Sequence, residues 1–376
     1  MTRPLTISLV LSLVALAGCE AWSDLEDYER EEVPVFQADH LTPPFDDDPS
    51  VLRVMSYNFK FGGGRIDFFF DYWGDRATMT VAEVEGNLDA LYRLIEEVRP
   101  HVLLAQEVEV NSKRSAYVDM VQRTLDLTHL NYGAFYEAWD TRFAPDESTG
   151  RVHMGNAIFS VFPITSAERI RQADRTDQAI YESYFLLHRS LGRAEIQAGN
   201  TQLAAYVVHT EAYDQDGTKK KHVEQVHQLL AEEVLPALMG GDFNSVPPTA
   251  LKKEKFNDDA PESLGTRYES PPYDLTTMQG FYDDFVPAIA LDRIGDTPES
   301  QRRHFSHTII GPGHEGNDGK PAYWNRTLDY LWTKAPLRWV DGSTDTLQGP
   351  GRLGIVSDPM TLSDHCPVVG DWEVRP

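Results

Sequence analysis

Residues 239–245 read Met239-Gly240-Gly241-Asp242-Phe243-Asn244-Ser245, and the reading of this stretch decides the fold. An apolar run over 234–239 reads as a helix end passing into a short buried strand, which two glycines and an Asp close. On an extended backbone Asp242 and Asn244, at i and i+2, point the same way. That sets a carboxylate beside an amide at a strand end, where strand-and-helix proteins place their chemistry. The competing reading is a Gly-Asp-Phe-Asn turn, because Gly, Asp and Asn all favour turns. The segment alone does not choose between them; the rest of the chain does.

Upstream, residues 51–57 alternate like a half-buried strand that ends at Asn58, and Gly62-Gly63-Gly64 turns the chain. The aromatic run 68–73 reads as core packing, with a substrate-lining wall as the other reading. Residues 80–98 carry apolar positions at helical spacing behind a Thr80/Glu83 capping box, and Pro100 ends that helix. A short apolar strand, 102–105, ends in Gln106-Glu107, a candidate metal carboxylate. A second helix is predicted over 112–125. Strands are predicted over 133–139, 156–164, 193–196 and 203–208, the last ending in His209-Thr210.

Asp216-Gly217-Thr218 caps a helix predicted to run to residue 235. Its first turn holds Lys219, Lys220 and Lys221, against the helix dipole. That reads as a solvated face or as a phosphate-contacting patch beside His209. Residues 251–276 read as an irregular excursion and 305–310 as a strand. Asp329 sits inside the strand 328–332, where a carboxylate needs a partner. Ser363-Asp364-His365 opens a last apolar strand. Asp364 and His365 share a site only if the backbone there is a loop, since adjacent strand residues face opposite ways.

The N-terminus is of another kind. Residues 1–18 hold one charge, Arg3, before an apolar run, which reads as a secretory signal. Leu16-Ala17-Gly18-Cys19 resembles a bacterial lipobox, so cleavage before Cys19 and a lipid on its sulfur are expected. The plainer reading is a signal peptide that ends near a cysteine. Residues 19–50 are expected to be a tether, rich in acid and Pro, carrying eleven Asp/Glu against Arg30. One domain is expected over 51–376. With 2 Cys in the chain and one lipidated, Cys366 reads as a small core residue rather than half of a disulfide.

The net charge of −25 advertises no broad basic surface for nucleic acid. It leaves phosphate substrates open, because a bound divalent ion supplies positive field locally. Asn58, Glu107, His209, Asp242, Asn244, Asp329, Asp364 and His365 all fall at strand edges. They supply hard oxygen ligands for Mg²⁺, with Mn²⁺ as the alternative, and imidazoles suited to proton transfer.

Ser56-Tyr57-Asn58, Gln106-Glu107, Gly155-Asn156-Ala157-Ile158-Phe159-Ser160, His209-Thr210, Gly241-Asp242-Phe243-Asn244, Leu328-Asp329-Tyr330 and Ser363-Asp364-His365 follow in order. They resemble the ordered motifs of the endonuclease/exonuclease/phosphatase superfamily, with the DNase I-like fold. The resemblance implies an α/β protein, a four-layer α/β/β/α sandwich of two mixed sheets flanked by helices. It implies metal-dependent phosphoester hydrolysis. Glu107 then binds the metal, with Asn58 and Asp364 nearby completing its shell or hydrogen-bonding to it. Asp242 orients or deprotonates the attacking water, and Asn244 positions it. His365, paired with Asp329, contacts the phosphoryl oxygen, and His209 is the other imidazole. One departure stands out: the Glu that partners the first His in related nucleases has no equivalent, because His153 and Met154 occupy the approach.

The expected activity is phosphodiester cleavage of the nuclease type. Phospholipid head-group cleavage, as in sphingomyelinases, and an inositol-phosphate phosphatase are the alternatives. A catalytically silent phosphate-binding lipoprotein is the non-enzyme reading. The expected partners are a nucleic-acid or phospholipid diester and, through Cys19, a membrane. A monomer is expected, lipid-anchored and extracytoplasmic, on the outer membrane if the host has one.

Overall fold

The computed structural model describes residues 28–375, apart from 45, 145–148 and 267. The expected signal segment and Cys19 lie outside the described residues. The strands in chain order are β1 (Arg30–Glu32), β2 (Val35–Gln37), β3 (Val51–Asn58), β4 (Val102–Glu109), β5 (Tyr132–Ala144), β6 (Gly150–Ser160), β7 (Ile164–Arg171) and β8 (Ser190–Ala198). They continue as β9 (Thr201–His209), β10 (Ala237–Asp242), β11 (Val286–Pro287), β12 (Asp329–Thr333), β13 (Arg338–Trp339), β14 (Asp345–Thr346) and β15 (Val368–Glu373). The main helices are α1 (Val81–Val98), α2 (Met120–Leu127), α3 (Ile180–Phe185), α4 (Thr218–Glu232) and α5 (Gln279–Asp284).

One sheet runs β13-β15-β3-β4-β6-β5-β2, with β14 also on β15; the other runs β1-β7-β8-β9-β10-β12-β11. Each contains one parallel pair made by a helical crossover: β3-α1-β4 in the first and β9-α4-β10 in the second. All other pairs are antiparallel, so both sheets are mixed. The main core lies between the sheets, where Met55, Leu104 and Ile158 meet Ala205, Leu238 and Leu331. A second core lies under α4 and α5 and includes Val226, Leu230, Met239 and Phe281. Helices α1 and α2 cover the first sheet from outside. The expected four-layer sandwich is therefore present.

Local chemistry sets these elements. Thr80 and Glu83 form the predicted reciprocal capping box at the start of α1, and Arg99 ends it at φ 51°, just before Pro100. Seven side chains of α1 are buried, contributing on the order of 10 kcal/mol before the entropy of ordering the chain. The second helix begins later than its apolar spacing predicts. Asp119, not Ser112, caps it by accepting from the Val121 and Gln122 N–H groups, and residues before it turn at positive φ. Residues 305–310 are not a strand either. His307 makes only isolated bridges, to Arg326 and to His365.

The tether reading ends too late. From residue 30 the chain joins the fold: β1 pairs with β7, and β2 pairs with β5. Arg169 holds Glu31, and Ala38 is buried in the main core. Acid-rich composition hid two three-residue edge strands; Val33 between them and Phe36 in β2 pack on that core. The folded unit therefore starts before the predicted boundary at 51. Among the described residues, no helix is long and apolar enough to cross a membrane.

Candidate active site

Strand register brings the site together. In the second sheet Asp242 lies opposite His209 on one side and opposite Asp329 on the other. In the first, Asn58 ends β3 beside Gln106, one residue before Glu107. Two parallel crossovers thus deliver their strand ends to one edge of the sandwich, where open α/β sheets place ligands. Glycine is required at 241. Its φ is +151°, and a Cβ there would stand 1.9 Å from the Val208 carbonyl oxygen.

The stretch that opened the sequence reading is both turn and site. Asp242 Oδ1 accepts from the Asn244 N–H at 2.8 Å, and Asn244 is left-handed at φ 44°. The backbone is not extended there as predicted, yet Asn244 Nδ2 still stands 3.3 Å from Asp242 Oδ2 and donates to the Thr210 carbonyl at 3.1 Å.

Asp242 Oδ2 is the focus. Asn58 Nδ2 lies 3.4 Å from it, His209 Nε2 3.4 Å and His365 Nε2 3.5 Å. His365 Nδ1 is hydrogen-bonded to Asp329 Oδ2 at 2.8 Å. Burial opposes charge on the His365 ring, but Asp329 and Asp242 outweigh it and raise its pKa to about 10. Burial, helped by Asp329, pushes Asp242 up to about 7 against the opposing charge of His365. His209 is driven well below the usual imidazole range by burial, with Arg189 and His365 adding to it. The centre therefore holds one cationic ring, one neutral ring and a carboxyl that titrates near neutrality. Such a spread of proton affinities is what acid–base division of labour needs.

His209 meets carboxylates only through Nε2 among the described residues: Asp242, and Glu107 at 3.9 Å. Among the described residues no acid orients its other nitrogen, as the sequence departure implied. Arg189 fixes it through the backbone instead, with Nη1 3.4 Å from the His209 carbonyl. His153 is engaged elsewhere, 2.5 Å from Glu137.

Glu107 stands at φ 54° at the break in register between β4 and β6, which turns its side chain toward the cleft. Burial and the nearby Asp364 raise its pKa. Asp364 comes from the loop before β15. Burial would raise it, but Lys60, His365, His307 and Arg65 hold it below the carboxylate range. Asn58 turns its amide nitrogen, not its oxygen, to Glu107 at 3.2 Å; its Oδ1 accepts from the Lys60 N–H at 2.9 Å. Asn58 is thereby a positioning group in this geometry, and Glu107 and Asp364 are the carboxylates left to take a metal.

Sequence reasoning missed several neighbours. Lys60, whose side chain is 3% exposed, lies 3.1 Å from Asp71 and 3.5 Å from Asp364. Burial, despite Lys60, pushes Asp71 up to about 6. The half-buried His307 ring sits edge-on to His365, with centroids 4.5 Å apart. The signals were a lone Lys and a lone Asp inside aromatic runs, Phe59-Lys60-Phe61 and Phe68–Asp71. Of the lysine run, only Lys219 turns inward. Its Nζ donates to the Ala212 carbonyl at 3.1 Å, and burial lowers its pKa to about 8.

A cavity of about 190 Å³ opens on Glu107 and His209, walled by Phe61, Phe69, Phe70, Trp139 and Tyr213 with Arg189 beside them. A groove of about 410 Å³ adjoins it across Phe70, Tyr213 and Tyr268 and reaches Asp71. The aromatic run thus divides: Phe68 is core, while Phe69 and Phe70 line the cleft. A larger cavity, about 660 Å³, lies between residues 246–257 and 320–327 and touches none of the predicted site residues.

A model of the Endonuclease/Exonuclease/phosphatase family matches residues 55–365. The chain belongs to that family. The fold agrees with a solved endonuclease/exonuclease/phosphatase from Beutenbergia cavernae, at 17% identity and a TM-score of 0.55, over 86% of this chain and 71% of that one. A family structure from Bacteroides vulgatus shares 12% identity over 86% and 99% of the two chains, with a TM-score of 0.49. A Bacteroides thetaiotaomicron structure described as a mannosyl-6-phosphatase shares 13% over 85% and 99%, at 0.46. No curated protein matches.

Membership makes this protein a divalent-metal-dependent hydrolase of phosphate esters. The donor chemistry fits. Glu107 and Asp364 are hard oxygen donors, and the strain between their charges is what a cation relieves. Asp242, Asp329 and His365 also have ligand atoms within 4.8 Å of one another, but the His365–Asp329 hydrogen bond already occupies two of them.

Proposed function

We propose that this protein is a phosphodiesterase of the nuclease type, acting with Mg²⁺ on a diester that carries a ring-sized group such as a nucleoside. The aromatic cavity beside Glu107 and His209 carries this reading, since Phe70, Trp139 and Tyr213 on its wall offer stacking faces for one base. With the groove beyond it, the cleft has room on both sides of a phosphate, as a diester requires. The acidic chain makes a short or single-stranded substrate a better match than a long duplex.

The residues divide the reaction between them. Glu107 and Asp364 would hold the metal, which would supply positive charge to offset the negative charge of the phosphate. Asp242, with Asn244 beside it, orients a water and accepts its proton. His365, kept cationic by Asp329, donates to a developing phosphoryl oxygen. His209, neutral, faces the leaving oxygen with Nε2.

The lipid reading has less support. A membrane-inserting loop would project its aromatics. Here Phe68 is buried, and Trp73 Nε1 donates to the Asp258 carbonyl at 3.1 Å. The test compares kcat/KM for thymidine 5′-p-nitrophenyl phosphate, p-nitrophenylphosphorylcholine and a sugar monophosphate. The nucleoside diester is expected to lead by about 100-fold; a lead by the choline ester or the monoester would overturn the reading. Lipid attachment at Cys19, and with it an extracytoplasmic membrane location, is also proposed. Mass spectrometry of the membrane fraction checks it: a mature chain starting at an unmodified residue contradicts it.

A further inference from the structure

We propose that the Lys60 ammonium is a built-in second cation, so that the catalytic centre binds a single divalent ion. This rests on the metal-dependent reading of the site and deepens it. Three carboxylates lie near one another beside the cleft: Glu107 near the end of β4, Asp364 from the loop before β15, and Asp71 from the turn at 69–71 within the aromatic run. Lys60 Nζ reaches two of them, Asp71 at 3.1 Å and Asp364 at 3.5 Å. Three negative charges are met by one from Lys60 and two from one ion. A second divalent ion among the same carboxylates would face a fixed positive charge within contact range.

The ammonium cannot easily withdraw. Lys60 and Phe61 both stand in the left-handed region, at φ 45° and 43°, a conformation non-glycine residues rarely adopt in succession. The Lys60 N–H is held by Asn58 Oδ1 at 2.9 Å, and its carbonyl accepts from Gly63 at 2.6 Å. Its ammonium also lies 5.9 Å from the Phe68 ring centroid. Arg65, the next cation, is no substitute. It donates at 2.7–2.8 Å to the carbonyls of Met360 and Thr308. A strained backbone that buries a lysine among metal-side acids needs a reason, and occupying a cation position supplies one.

The experiment counts bound Mn²⁺ by the electron paramagnetic resonance of the free ion, with no turnover involved. Ions bound elsewhere, for example at Glu137, Asp140 and His153, are subtracted with Glu107→Gln. The wild type should lose one ion in that comparison. Lys60→Met should bind one more than the wild type, and Lys60→Arg, which keeps the charge, should match the wild type. Two ions at the centre of the wild type would overturn the proposal, and this result needs no variant of Lys60 to fold. So would a folded Lys60→Met with an unchanged count. No ion at all would overturn the metal-dependent reading itself, and this inference with it.

Discussion

Asp329→Asn isolates the device that keeps His365 charged. The residue is 2% exposed and its side chain accepts from His365 Nδ1 at 2.8 Å, and Asn keeps the shape and one acceptor oxygen. In the wild type the ring's pKa stands at about 10, against 6.5 for a free imidazole. That gap corresponds to about 5 kcal/mol between the ring's two protonation states. Asp329 is the largest favourable contributor, ahead of Asp242. Assigning it only half the gap, the variant's ring should titrate about 2 units lower. The assay is an NMR titration of ¹³C-labelled histidine in metal-free protein. The wild-type ring should hold its proton to beyond pH 9, and the variant ring should lose it near or below pH 8. Stability should follow. His365 contributes fully below pH 6.5 and loses its contribution as pH rises toward 10, so the stability gap between the two proteins should be widest in acid and narrow with rising pH. At pH 9, where most wild-type rings keep the proton and most variant rings have lost it, kcat should fall by about tenfold through loss of one charged donor. A wild-type ring titrating within a unit of 6.5, or a variant ring with an unchanged midpoint, would refute the reasoning.

Three further outcomes are expected. Gly241→Ala should cost about 3 kcal/mol or more, read by urea denaturation, because its Cβ would stand 1.9 Å from the Val208 carbonyl oxygen. A chain starting at residue 51 should be less stable than one starting at 28 by about 2–4 kcal/mol, having lost Val33, Phe36 and Ala38 from the core; equal melting temperatures would restore the tether reading. Trp139→Ala should raise KM for a nucleoside diester about tenfold and leave kcat nearly unchanged, since it removes ground-state and transition-state binding alike.

The architecture was legible where sequence and packing agree. The capping box and apolar spacing of α1, the strand ending in His209 and the Gly-Gly-Asp end of β10 stand where their patterns put them. The eight predicted site residues converge at one edge because both parallel crossovers end there. Motif order showed that convergence, but not which atom faces which. Asn58 presents nitrogen rather than oxygen to Glu107 because a backbone N–H two residues on claims the oxygen. Lys60 and Asp71 were hidden for a different reason. Their partners are far apart in sequence, and only the left-handed turn at 60–61 and the turn at 69–71 bring the pair to Asp364. The strands β1 and β2 escaped because three residues are too few for a periodicity to show.

The central claim is metal-dependent hydrolysis of a phosphodiester organised around Asp242. The direct measurement is kcat for thymidine 5′-p-nitrophenyl phosphate with Mg²⁺, for the wild type, for Asp242→Asn and for the wild type in chelator. Removing either the carboxylate or the metal should cut turnover by about 10³-fold or more, with the variant still folded and still binding Mn²⁺. Turnover within tenfold of the wild type, in either the variant or the chelator, would contradict the account.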